Sequence, residues 1–138
     1  MDQFNVVASA GSFRSDDAHV IQFPHRWTSE GVTVEAAFSG AHLLHLAAAG
    51  CVLNDIYREA ATLGIQIDGV RVSAAGAFDT ERWTSTGITY SVELSSAASA
   101  QDLARLLDLV DDIAEIPRAI RAGATVQRAN VTPRRASS

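Results

Sequence analysis

The sequence has no lysine and a single cysteine. All 11 basic residues are arginine, set against 16 acidic ones, for a formal net charge of −5. That balance argues against a nucleic-acid partner, which is normally met with a basic face. Arg134 and Arg135 near the end are too few to change this. The missing lysine reads as a composition bias and carries no function. One cysteine, Cys51, excludes an intrachain disulfide and any cysteine-rich metal site. No basic n-region and apolar h-region follow Met1, since Asp2 and Gln3 come next, so no signal peptide is expected. A cytoplasmic, reducing compartment is the resulting expectation. No Gly-rich phosphate loop and no Ser-His-Asp pattern is visible. Neither repeats nor an interdomain linker divide the 138 residues, so a single domain over 1–138 is expected.

What is present is organised around Ala41 to Leu63. From Leu43 to Leu53 the one polar residue is His45. A helix apolar all round is normally buried. From Asn54 it becomes amphipathic, with Asp55, Arg58 and Glu59 against Ile56, Tyr57 and Leu63. Ser39 is the candidate N-cap and Gly64 the left-handed stop. The result is one helix of about 35 Å at 1.5 Å per residue. Its polar end and Ala/Gly content make it a poor membrane span. The rest of the chain reads as material wrapped around it.

Before the helix, Phe4–Ala10, His19–Phe23 and Val32–Ala36 read as strands. After it, Ile65–Phe78 and Thr86–Leu94 alternate apolar and polar residues and pair as a hairpin, with a bulge or turn at Asp68-Gly69. Ser99 to Asp102 resembles a capping box that opens a second amphipathic helix over 99–115. Ile116-Pro117 breaks it, and Pro117 can start one more helical turn. Ala124–Val131 reads as a last strand, and 132–138 as a frayed basic tail. Strands and helices do not alternate singly, so the fold class is α+β rather than a doubly wound sheet.

A buried helix carrying a cysteine, in this strand–helix–hairpin–helix order, resembles the OsmC/Ohr family of osmotically inducible and organic-hydroperoxide-resistance proteins. The local match is Gly40-Ala41-His42-Leu43-Leu44-His45-Leu46-Ala47-Ala48-Ala49-Gly50-Cys51, continued by Leu63-Gly64 and Ile67-Asp68-Gly69-Val70-Arg71-Val72. The family pattern has Pro-Glu-x-Leu-Leu, a small apolar run, and then the first cysteine. The resemblance spans roughly 4–131. It implies an intertwined homodimer and a peroxide-reducing site of two cysteines, an arginine and a glutamate. Cys51 falls on the peroxidatic cysteine, and Arg14 is the best match for the arginine. The resolving cysteine is replaced in Ile116-Pro117, and the glutamate position is Ala41. A two-cysteine cycle therefore cannot run within one chain. No cofactor is implied, and no membrane.

The residues themselves add detail. A thiol reacts as its thiolate, with an ordinary pKa of about 8.5, raised in apolar surroundings. On an ideal helix Asp55 lies about 40° and Arg58 about 20° from Cys51. The three share a face, and Arg58 can approach the sulfur or pair with Asp55. An inert buried cysteine acting as a small hydrophobe is the bland alternative. His42 and His45 are neighbours at i, i+3. They allow a weak metal reading with His19 or His25 as a third ligand, but histidines at a pocket mouth or dimer interface are commoner. His25-Arg26-Trp27 can line a ligand site or simply make a cation–π pair.

Two functions follow. The first is a one-cysteine peroxidase. Cys51 and Arg14 act on a small organic hydroperoxide, Asp55, Arg58, His42 and His45 support them, and an external thiol reduces the product. The second is a non-enzymatic member of the same fold that binds a small apolar ligand or a partner at the dimer interface.

Overall fold

The computed structural model describes residues 3–136. The elements are β1 (Val6–Gly11), β2 (Ile21–Phe23), β3 (Val32–Glu35), α1 (Gly40–Leu63), β4 (Gly69–Asp79), β5 (Thr84–Ser95), α2 (Ala100–Ile113) and α3 (Glu115–Ala122). They form one antiparallel sheet in the order β2-β3-β1-β4-β5, with three helices. The α+β class is as expected.

The long helix forms where the sequence places it. The Ser39 hydroxyl accepts the His42 N–H at 3.1 Å, satisfying one of the first-turn donors. Gly64 takes the left-handed conformation at φ 71°, and the chain folds back through Ile65 N–H to the Ala60 carbonyl at 2.9 Å. The register lays Ala8 between Val34 on β3 and Val72 on β4. Small side chains at Ala8 and Ala10, both buried, suit the close passage of a helix over β1. Ala49, Val52, Leu53, Ile56 and Ala60 of α1 share one apolar cluster with Val6, Ala8, Ala10, Val70, Val72 and Ala74 of the sheet. Leu106, Val110 and Ala114 close that cluster from α2 and its end.

Four local expectations are corrected. β4 starts at Gly69, not Ile65, because Asp68 is held outside the ladder: its carbonyl accepts Ser12 N–H and its N–H donates to Ser95. The bulge falls at Gly76–Phe78 instead. There the Gly76 N–H donates to the Gln3 carbonyl, and a Cβ on Gly76 would stand 2.9 Å from His45 Nε2. The break between α2 and α3 lies at Ala114, not at Ile116-Pro117, and Pro117 occupies the third position of α3. A first-turn proline is tolerated because its missing N–H would have no partner. Finally, Ala124–Val131 is not a strand. Residues 124–136 form no regular structure, and Val126 and Val131 are exposed. Alternation alone does not make a strand unless the segment lies along a sheet edge. Residues 137–138 of the expected tail lie outside the described residues.

Candidate functional site

Cys51 is half-buried on α1, one turn after Ala48 and facing the start of α3. The extended backbone of Ala114, at φ −58° and ψ 113°, turns the chain between α2 and α3. That turn brings the N–H groups of Ile116 and Glu115 against the sulfur. They favour its anion, as helix N-terminal amides do, although neither closes a full hydrogen bond. The thiol is instead close to Asp55, with Sγ 3.9 Å from Oδ2. Asp55 is 2% exposed, and its carboxyl is well partnered. Arg58 Nη1 pairs with its Oδ1 at 3.2 Å, and Asn54 Nδ2 donates to the same oxygen at 3.4 Å. Of the two roles open to Arg58, the structure gives the pairing with Asp55.

Burial pushes the Cys51 thiol above its ordinary value. The Ile116 N–H works against this, and the Asp55 and Glu115 carboxylates add to it. The resting sulfur is therefore a thiol, and its hydrogen points toward the Asp55 carboxylate. Beside it, between β5 and α3, runs a groove of about 300 Å³. Ala48, Ile88, Tyr90, Pro117 and Ile120 make its apolar walls, and Arg121 lines it too. Arg121 had no role in the sequence reading. Its spacing of four from Pro117 is the signal that puts both on one face of α3.

The other expected residues lie elsewhere. The Arg14 guanidinium is bonded to Gln22 Oε1 at 3.3 Å and to Glu30 Oε2 at 3.5 Å, and makes no hydrogen bond to Cys51. Its Nε is buried without a partner. His42 and His45 share a neighbour, Phe4, but their nitrogens diverge. His42 Nδ1 receives the Ser39 hydroxyl at 2.6 Å, and its ring meets the Phe4 edge at 5.3 Å. His45 is fully buried, donates from Nδ1 to the Phe4 carbonyl at 2.8 Å, and stacks on Phe78. Because a carbonyl only accepts, Nδ1 carries a proton, and Nε2 is left unpaired. Among the described residues no group of three His, Cys, Asp or Glu can hold a metal. Arg26 lies over the Trp27 ring at 5.3 Å, making the cation–π pair. No helix among the described residues is long and apolar enough to cross a membrane.

No curated protein matches the chain. Among solved structures it is similar to an OsmC-like hydroperoxide resistance protein from Jannaschia sp. CCS1, with a TM-score of 0.52 and 12% identity over 95% of each chain. At that identity the likeness speaks for the fold alone. The family model described as OsmC-like protein matches residues 33–128, from β3 through α3 and so across the whole Cys51 site. By that match, the chain belongs to the OsmC-like family.

Proposed function

We propose that the protein reduces organic hydroperoxides through Cys51 alone, with an external thiol as reductant. The observation that carries this reading is a half-buried thiol set between a carboxylate and two backbone N–H groups, beside an apolar groove. The thiol loses its proton to water, and the Ile116 and Glu115 N–H groups support the anion. The thiolate attacks the distal peroxide oxygen, the O–O bond breaks, and the alkoxide leaves as the alcohol after taking up a proton. Cys51 is then a sulfenic acid. One external thiol condenses with it, releasing water, and a second restores the Cys51 thiol and leaves as a disulfide. Ile116, in place of a resolving cysteine, makes this external route necessary. The N–H groups of Ile116 and Glu115 take over the support of the thiolate that the resemblance gave to Arg14, which is engaged by Glu30.

The proposal includes a homodimer. Along α1, Leu43 and Ala47 are exposed and Gly50 is half-exposed, with open space where its side chain would stand. The β5 strand is 12 residues long and paired on one side only. Unpaired edges of that length are normally covered. Residues 124–131 of a second copy have the alternating pattern to cover it. Sedimentation is expected to give twice the 14.6 kDa chain mass.

The test of the reaction is direct. Cumene hydroperoxide in modest excess, at pH 7.5 and pH 9, is expected to give one dimedone adduct, located at Cys51. Dithiothreitol is expected to sustain turnover. If neither pH yields an adduct, the peroxidase reading fails.

A second reading has its own observation: the sulfur's closest polar partner is a carboxylate, which opposes a thiolate. In this reading the groove between β5 and α3 binds a small apolar ligand, and Cys51, one turn from the lining residue Ala48, takes no part in chemistry. A Cys51→Ser protein that keeps its affinity for an apolar dye supports it, and loss of that affinity counts against it.

A further inference from the structure

A second groove lies beyond the cysteine, toward the end of α1. Tyr57 is six residues after Cys51, about 9 Å along the axis. It is 8% exposed, and its hydroxyl is buried without a hydrogen-bond partner. An orphaned buried hydroxyl is destabilising, so it calls for an explanation. The groove above it, of about 370 Å³, is walled by Trp27, Thr28, Ser29, Glu30 and Asp68. Burial, with the Asp68 charge behind it, pushes the Tyr57 phenol above its usual value, so it stays an O–H.

The two carboxylates differ. Glu30 is already met by Arg14 at 3.5 Å. Asp68 is in no ion pair among the described residues. Its backbone is fixed on both sides, by Ser12 at 2.8 Å and Ser95 at 2.7 Å. The groove thus holds one uncompensated negative charge, one unused hydroxyl and an indole wall. Arg26 lies over the Trp27 ring but does not line the groove.

From these groups we infer that the groove binds the ammonium end of a small primary amine. Its three N–H donors go to Asp68, to the Tyr57 oxygen and to Glu30, and its carbon chain lies along Trp27. An anion is repelled by both carboxylates. A neutral polyol satisfies the hydroxyl but leaves the Asp68 charge unmet. A bare metal ion finds no cluster of three ligating side chains here. The site shares no residue with the thiol chemistry.

The test uses the full chain with Trp83→Phe. Trp83 is 81% exposed, and its removal leaves Trp27 as the only tryptophan reporter. Titration with 1,4-diaminobutane at low salt is expected to change Trp27 fluorescence saturably, and 1,4-butanediol is expected to have no such effect. Asp68→Asn is expected to weaken the diamine about fivefold, the scale of one exposed ion pair. Tyr57→Phe, which removes only the hydroxyl, is expected to weaken it less. The inference is overturned by a flat response to the diamine, by an equal response to the diol, or by an unchanged affinity in Asp68→Asn.

Discussion

On one side of α1, Ala49, Val52, Leu53, Ile56 and Ala60 belong to an apolar cluster in which only Tyr57 carries a polar atom. On the side that carries Cys51, Asp55 and Arg58, a thiol, a buried carboxylate and a half-exposed guanidinium follow one another along the helix. The first side holds the fold by removing apolar surface from water, at about 25 cal/mol per Å². The second cannot be explained that way. A buried ion pair must first overcome the desolvation of both charges, so it is weak ground for stability. What the contrast teaches is where to look for chemistry. Stability is written on the sheet side, and reactivity on the side with the charges.

Exchanging one residue on each side breaks or sharpens this contrast. The largest expected effect is on the apolar side. Leu53 is 1% exposed. Leu53→Ala removes its buried methyl groups and leaves a cavity, at a cost of about 2–5 kcal/mol in urea unfolding. Alkylation of Cys51 by iodoacetamide is expected to change little under conditions where the variant is still folded. Asp55→Asn is expected to do the reverse. It weakens a charged hydrogen bond, for about 1–3 kcal/mol. It also removes a carboxylate that holds the thiol up. More thiolate forms at pH 7.5, and alkylation is expected to speed up several-fold. Should Asp55→Asn cost more stability than Leu53→Ala and leave alkylation unchanged, the charged side is structural and the contrast falls.

The same contrast explains what could be read from the sequence. The buried helix, its caps at Ser39 and Gly64, and the hairpin were all legible, because local spacing and cap chemistry fix them. The Cys51–Asp55–Arg58 line was legible too, since a helix converts spacing directly into a shared face. The partners from other elements were not. Nothing in the spacing says that α3 would aim the amides of Glu115 and Ile116 at the sulfur, or that Arg14 would settle on Glu30 and Gln22. Those depend on the turn at Ala114 and on the path of residues 12–20. Residues 124–131 misled for the opposite reason. Their alternation is real, but a strand is a property of two segments, and one chain supplies no neighbour for this one.

The smallest expected effect tests whether the sulfur is truly held as a thiol. In the unfolded chain Cys51 ionises near the ordinary value of about 8.5. In the folded chain burial, aided by Asp55 and Glu115, places that ionisation higher. Between the two values the native state keeps a proton that the unfolded state has lost. Stability is therefore complete below the unfolded value and falls as pH climbs through the folded one. Tyr57 is shifted in the same direction, but its unfolded counterpart ionises only near pH 10. A window from about pH 8 to 9.5 thus reports on Cys51. Over it, the urea midpoint of the native protein is expected to fall more steeply than that of Cys51→Ser, which has no proton to lose. If the two slopes coincide, the amides of Ile116 and Glu115 balance burial and the carboxylates, and Cys51 ionises as an ordinary thiol.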